Sequence, residues 1–458
     1  MKLSLREPIS ALITPAGTAA INVIRISGEG AIPVVARYFR PADKLLSAPG
    51  HSIVYGIFYD EAARPLDEVL CSVFKAPKSY TGDDTVEISC HGNPRLAARI
   101  LEQLLLHSRM ANPGEFTMRA MYNNKLDLIQ AEAINDLITG PSSKSQSAAL
   151  SQLRGVLSAK MNEFIQRITH LRIQCELAID FADQDLPSID EAALVHDLTQ
   201  LQDEMAQLCD QSQQARFIRD GIRICLAGAP NSGKSSLFNA FLNQNRAIVS
   251  PHPGTTRDYL EESISLQGYT IVLFDTAGLR ESQDTIEQEG IDRSQQLMQD
   301  ADLILYLIDA QTHAGELDMS ALDSSLHSKT LVVLSKADLA TPAAISTLQD
   351  ALAPLTVSSS SVVADDGLQS LFTAILSRFK LLEPQFERPL VTNVRHLAAL
   401  KKSRQSLGKA LSALQDGMGY EFAAFDLIEA STALEQILGI ITPDDLLNSI
   451  FADFCIGK

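Results

Sequence analysis

Residues 228–235 read GAPNSGKS, two glycines with four residues between them, then Lys and Ser. That is the spacing of a phosphate-binding loop. Glycines let backbone N–H groups curl around phosphate oxygens, and the N-terminus of the helix that follows adds its positive end. Lys234 can reach the β- and γ-phosphates and the Ser235 hydroxyl can ligate Mg2+. Asn231, Ser232, Gly233 and Ser236 complete the expected cradle. The flanks supply the strand–loop–helix context: 222–227 (IRICLA) reads as a short buried strand and 236–243 (SLFNAFLN) as the start of a helix.

Three further pieces stand in the order that GTP hydrolysis requires. In 254–258 (GTTRD), Thr256 can complete the Mg2+ shell and sense the γ-phosphate. The stretch 275–278 (DTAG) follows a hydrophobic strand at 270–274. Asp275 there suits an outer-shell Mg2+ partner, Thr276 and Ala277 line the same turn, and Gly278 can offer its N–H to the γ-phosphate. A second buried strand, 331–334 (LVVL), runs into Ser335-Lys336-Ala337-Asp338, which resembles the guanine-reading NKxD element. The Asp338 carboxylate can accept two hydrogen bonds from guanine N1 and N2, donors that adenine does not offer in that arrangement. Ser358, Ser359 and Ser360 follow at the distance for a backbone contact to guanine O6. Ser335 stands where Asn is usual; a hydroxyl is shorter and brings one donor in place of the amide's donor and acceptor. Guanine selectivity is therefore expected to survive through Asp338, with weaker nucleotide affinity.

The water-orienting Gln of many small GTPases would follow DTAG, and Leu279 occupies that place. Hydrolysis must be set up otherwise. The Asn231 side-chain oxygen can hold a monovalent cation near the β/γ bridge, or Asn231 can simply form the turn; the residue type fits both. Arg280, Glu281, Asp284, Glu287 and Glu289 crowd the next segment, which is either a solvated charged loop or the source of a water-orienting group.

Composition narrows the setting. A chain of 458 residues suggests about three domains. Hydrophobic content of 45% and charged content of 21% fit a globular protein with ample core. A net charge of −18 argues against gripping nucleic acid by bulk electrostatics, though not against a local basic patch. Six scattered cysteines without a CxxC pair point to reduced thiols and a cytoplasmic setting. No apolar run approaches the roughly 20 residues of a membrane span, and no cleavable leader is evident.

Periodicity then divides the chain. Residues 1–120 alternate strands (20–26, 52–58, 68–75, 85–89) with one amphipathic helix at 95–109, an α+β domain. Residues 121–218 carry helical apolar spacing, with one long helix expected over 150–179 and a polar break at 181–190. Residues 219–380 hold the nucleotide motifs, as an α/β P-loop domain of Ras-like type. Residues 381–458 return to helix at 394–416 and 423–438. The simplest packing joins 121–218 and 381–458 into one all-α bundle, with the nucleotide domain inserted in it.

Four stretches outside the P-loop bring recognition: 24–28 (IRISG), 79–92 (SYTGDDTVEISCHG), 113–137 (PGEFTMRAMYNNKLDLIQAEAINDL) and the C-terminal 454–458 (FCIGK). With the inserted GTPase domain, the whole chain resembles the MnmE (TrmE) family of tRNA wobble-uridine modification GTPases. The resemblance implies a flavoprotein partner, MnmG (GidA), and addition of an aminomethyl or carboxymethylaminomethyl group to C5 of the wobble uridine of certain tRNAs. It implies an N-terminal domain similar to folate-binding aminomethyltransferases, taking 5,10-methylene- or 5-formyl-tetrahydrofolate; Arg25, Glu87, Lys125 and Lys458 match the family's folate contacts. It implies a homodimer and a K+-stimulated GTPase, with Asn231, Ser250, His252 and Thr255 as K+ ligands, Thr255 also at the nucleotide, Glu287 orienting water, and Arg257 and Arg280 in the switches. The tail cysteine, Cys455, falls near the folate site in that family; as a residue it is either a nucleophile or a small hydrophobe. Two departures stand out: Gly17-Thr18-Ala19-Ala20 replaces a glycine-rich loop, and Pro251 and Pro253 stiffen switch I. A regulatory switch of the ribosome-assembly type, without one-carbon chemistry, is the other function class.

Overall fold

A computed structural model describes residues 7–180, 190–245, 261–275, 295–317, 319, 322–363, 367–379, 387–452 and 454–458. In chain order the first region contains β1 (Ile9–Leu12), β2 (Ile21–Ser27), α1 (Ala31–Tyr38), β3 (Phe39–Arg40), α2 (Ala42–Ser47), β4 (Ser52–Tyr59), β5 (Pro65–Phe74), β6 (Thr85–His91), α3 (Pro94–Leu105) and β7 (Arg109–Met110). Helices follow: α4 (Glu115–Tyr122), α5 (Leu128–Thr139), α6 (Ser143–Leu153), α7 (Val156–Asp180) and α8 (Glu191–Arg219). Then come β8 (Ile222–Gly228), α9 (Lys234–Asn245), β9 (Glu261–Leu266), β10 (Tyr269–Asp275), β11 (Leu303–Asp309), β12 (Thr330–Ser335), α10 (Pro342–Ala351), β13 (Thr356–Ser359) and α11 (Gln369–Arg378). The chain ends with α12 (Val394–Gln415), α13 (Tyr420–Leu438) and α14 (Asp444–Ala452); residues 295–300 are also helical.

Two compact units emerge: one of 1–135, 152–198 and 405–458, the other of 136–151 and 199–404. In the first, β1–β7 form a seven-stranded sheet in the order β3-β4-β5-β6-β2-β1-β7. Strict alternation sends Ile24, Ile26, Phe58, Val69, Cys71, Val73, Val86 and Ile88 to one face, where Val35, Ile100 and Leu104 of α1 and α3 seal them. The other face carries Arg25, Glu87, Ser72 and Ile53 in one cross-strand row. Further along the same unit α13 packs on α7, and Leu447, Phe451 and Phe454 pack on Met118, Leu128 and Ala131.

In the second unit the sheet order is β13-β12-β11-β8-β10-β9, parallel except for the β9–β10 hairpin. Helices cover both faces. Leu237, Phe241, Leu371 and Phe372 of α9 and α11 lie on one face, and Leu297, Met298 and Leu348 lie on the other. Strands buried on both sides read as continuous apolar runs, which is why LVVL and IRICLA stood out.

The first 120 residues hold α1 and α2 besides the one helix expected there, β5 and α13 each begin three residues early, and two further helix boundaries differ from the sequence reading. The helix expected over 150–179 is two helices, α6 and α7, parted at Gly155, whose φ of +84° is left-handed. Gly adopts that conformation without steric cost, so the chain turns where apolar periodicity alone runs on. The helix expected over 95–109 stops at Leu105, and Arg109 and Met110 instead pair with β1. The break expected at 181–190 lies, except for Asp190, outside the described residues.

Candidate functional site

β8 delivers the phosphate loop at the middle of its sheet. Gly228 has φ +137°, and a Cβ there would sit 2.3 Å from Leu307 O, so only glycine fits beside β11. Asn231 (φ +63°) and Gly233 (φ +92°) complete the curl. Lys234 is buried at the start of α9, and its Nζ donates to Gly228 O at 3.0 Å and Ala229 O at 2.8 Å. The ammonium is thus held over the loop by carbonyls of that loop. Ser232 Oγ is buried without a hydrogen-bond partner among the described residues. A buried, unpaired hydroxyl and a lysine held on the carbonyls of the loop suit phosphate oxygens, which are stronger acceptors than peptide carbonyls. Ser235 and Ser236 lie exposed in the first turn of α9, where a hard cation can take the Ser235 oxygen.

The base-reading segment is fastened to this loop. Ser335 Oγ lies 2.7 Å from Ser232 O and 3.2 Å from Ile308 O, and its single proton serves one acceptor at a time. Lys336, left-handed at φ +53°, donates to Asn231 O at 3.1 Å and to Asp309 Oδ2 at 2.7 Å. Burial pushes the Asp309 carboxyl pKa up, but the bonds from Lys336 and from Gln311 N–H outweigh it and leave it lowered. Asp338 is exposed and takes the Ser361 hydroxyl at 2.7 Å on one oxygen. Ser358 and Ser359 end β13, Ser360 N donates to Leu334 O at 2.8 Å, and Ala337 N donates to Ser360 O at 3.2 Å. Asp309 and Ser361 escaped the sequence reading; Asp309 ends a buried strand as Asp275 does, a signal that was available.

Ser250, His252, Thr255, Thr256, Arg257, Thr276, Ala277, Gly278, Arg280 and Glu287 lie outside the described residues, as does the side chain of Asp275, whose backbone ends β10.

A second cluster forms on the open face of the first unit's sheet. Arg25, 8% exposed, donates from Nε and Nη2 to Glu87 Oε1 at 2.9 and 2.7 Å, and from Nη1 to Gly457 O at 3.3 Å. Its guanidinium lies 5.2 Å from the Tyr80 ring centroid and 5.3 Å from that of Phe116. The C-terminal residues fold in beside it: Phe116 N donates to Lys458 O at 3.2 Å, and Lys458 Nζ stands 6.0 Å from the Tyr80 ring. Burial, then the charge of Arg25, lowers the Lys458 pKa. Arg25, Glu87 and Lys458 therefore come together, whereas Lys125 reaches Pro77 O at 2.9 Å, on the loop that leads to Tyr80. Cys455 is the exposed cysteine; the other five are buried, with burial pushing Cys71 up to about 12. Tyr80 and Phe116 were inside the quoted motifs, but nothing in their spacing showed that both rings would flank Arg25.

Comparison with known proteins places these features. A family model described as the MnmE helical domain matches residues 128–455, and one described as the GTP-binding protein TrmE N-terminus matches 8–125. The chain is 40% identical over 456 residues to the tRNA modification GTPase MnmE of Syntrophotalea carbinolica, covering 99% of each protein. It is 37% identical over 457 residues to that of Aquifex aeolicus, covering 99% of this chain and 100% of the relative. With that of Moorella thermoacetica the identity is 39% over 464 residues, covering 99% and 100%.

Proposed function

Because this chain belongs to the MnmE (TrmE) family of tRNA modification GTPases, we propose that GTP hydrolysis in its second unit serves one-carbon chemistry in its first. The product is an aminomethyl or carboxymethylaminomethyl group on C5 of the wobble uridine of certain tRNAs, made together with the flavoprotein MnmG (GidA). Arg25 carries this reading: a buried guanidinium between two aromatic rings, ion-paired to a carboxylate and beside a half-buried ammonium. A folate needs such a set. Its glutamate tail is anionic and suits Lys458 and Lys125, its pterin is a flat ring, and the pterin N–H groups suit a carboxylate. Both Arg25 bonds converge on Glu87 Oε1, which leaves Oε2 as acceptor for the pterin.

In the nucleotide site Lys234 exchanges its loop carbonyls for the β- and γ-phosphates, and Asp338 turns its second oxygen to guanine. Ser235 and Thr256 would hold Mg2+, which would supply positive charge to the phosphates. Asn231, with Ser250, His252 and Thr255, would hold K+, Glu287 would orient the water, and Arg280 would act as a switch residue. The Ser, Thr and Asn side chains bring hard oxygens suited to such cations. No helix among the described residues is long and apolar enough to cross a membrane.

Titration with 5-formyltetrahydrofolate tests the reading. The unaltered protein should bind it, and Arg25→Ala should weaken binding by about a hundredfold, as loss of a charged hydrogen-bond partner does. GTP hydrolysis should survive that substitution. An unaltered protein that hydrolyses GTP but binds no folate would leave only the regulatory switch.

A further inference from the structure

The β9–β10 hairpin connects the nucleotide motifs to a helix that belongs, by sequence, among the bundle helices. β9 begins at Glu261, three residues after Asp258 of GTTRD, and β10 ends at Asp275, the first residue of DTAG. At the far end Gln267 (φ +47°) and Gly268 (φ +81°) make a two-residue turn between the paired Leu266 and Tyr269. Two left-handed residues in that place are the mark of a type I′ hairpin.

The turn is seated on α6. Lys144 N donates to Gly268 O at 3.4 Å, and Lys144 Nζ stands 4.1 Å from the Tyr269 ring centroid. A Cβ on Gly268 would meet Ser143 Oγ at 3.0 Å and Lys144 Cγ at 3.2 Å, so the fit is close. Tyr269 is 3% exposed and packs with Ala148 of α6 and with Ala215 and Ile218 of α8. A second fastening lies just before α6, where Arg219 Nε bonds Asp136 Oδ1 at 3.1 Å.

The path of the chain makes this contact unusual. Residues 136–151 pack with the nucleotide unit, whereas 1–135 and 152–198 pack with the other. β9 is also an edge strand, held by β10 alone, so it can shift with fewer ladder bonds lost than a central strand.

We propose that α6 is the element that reads the nucleotide state, with Lys144 and Tyr269 as positioning residues that transmit displacement of the β9–β10 hairpin to the segment 136–151. In GTPases generally the γ-phosphate orders the switch segments, and the hairpin runs between the sequence positions of GTTRD and DTAG. The hairpin between them carries the change to its turn, and α6 follows because its lysine is clamped on the turn. This inference rests on the GTPase reading of the second unit.

Hydrogen exchange of the full-length protein tests it without any substitution. Amides of 143–153 should exchange about fivefold or more differently between the GDP form and the form with GDP and aluminium fluoride. Lys144→Ala and Tyr269→Ala should abolish that difference and lower tRNA modification in cells about fivefold or more, with GTP hydrolysis kept. Lys144→Arg and Tyr269→Phe keep cation and ring and should restore both. The proposal is overturned if α6 exchanges alike in both forms of a protein that hydrolyses GTP, or if the alanine variants keep the difference and the modification. It is overturned too if those variants lose hydrolysis, since the contact would then serve the nucleotide site itself. A protein that bound no GTP at all would overturn the GTPase reading along with it.

Discussion

At the scale of single residues, Asn231 and Ser335 show what a motif does and does not convey. Asn231 was legible as part of the loop but not as turn former or ligand. Its left-handed backbone gives its carbonyl to Lys336, and its side chain is left at the exposed rim of the phosphate cradle. Asn is among the residue types that tolerate this left-handed turn, and its exposed amide remains free to serve a cation as well. Replacing K+ by Na+ should slow GTP hydrolysis about tenfold or more, and Asn231→Ala should remove most of that difference, since a positioned charge at the β/γ bridge stabilises the transition state. Equal steady-state rates in the two salts would refute a K+ site. Ser335 is the reverse case. The sequence marked it as a loss relative to Asn, yet its hydroxyl reaches Ser232 O across the sheet. Whether a short side chain spans that gap depends on the approach of β12 to the loop, a distance that no local pattern contains.

At the scale of elements, strands were more legible than helix ends. A strand buried on both faces announces itself by four or more apolar residues in succession, as 222–227 and 331–334 do. Helix boundaries turned on single residues such as Gly155. The least legible element was α4, which looks amphipathic by composition and is buried nearly throughout, charges included. Glu115 is fully buried and accepts from Arg109 Nη1 at 2.9 Å and Nη2 at 2.6 Å, Arg119 Nη2 at 3.0 Å and Asn112 N at 2.9 Å. Burial alone would raise its pKa, but Arg109, Asn112 N–H and Arg119 outweigh that and hold it below the ordinary carboxylate range. A depressed carboxylate contributes stability that is complete above its ordinary pKa and is lost as pH falls through the folded value. Glu115→Gln would leave Arg119, 1% exposed, without its charge partner. It should destabilise the first unit by about 3–5 kcal/mol near neutral pH. Its urea midpoint should also fall less steeply than the parent's as pH drops below the ordinary glutamate range. Matching midpoints near neutrality would show that the cluster contributes nothing.

At the scale of the whole molecule, the sequence reading divided nucleotide domain from helices by motif and period, and it could not see that 199–218 and 387–404, along with 136–151, pack with the former. Sixteen residues of ordinary helical spacing look alike in either place; what assigns them is a cation–π contact and a turn more than a hundred positions later. The homodimer that the family resemblance implies is argued from the sheet of the first unit. Tyr55 and Leu70 are cross-strand partners, 60% and 45% exposed, and Ile53 (67%) and Ile21 (57%) lie on the same face. That face also holds Arg25 and Glu87. Scattered apolar side chains are ordinary on a surface, but four large ones on one sheet face, two of them directly paired, are what an association surface would use. Tyr55→Asp combined with Leu70→Asp should therefore shift a dimer to monomer in sedimentation velocity at micromolar concentration, weakening association at least about tenfold. The nucleotide site is built in the other unit, so GTP binding by the monomer should be unchanged. A parent protein that sediments as a monomer, or a variant that remains dimeric, would place the contact elsewhere and leave this face to another partner.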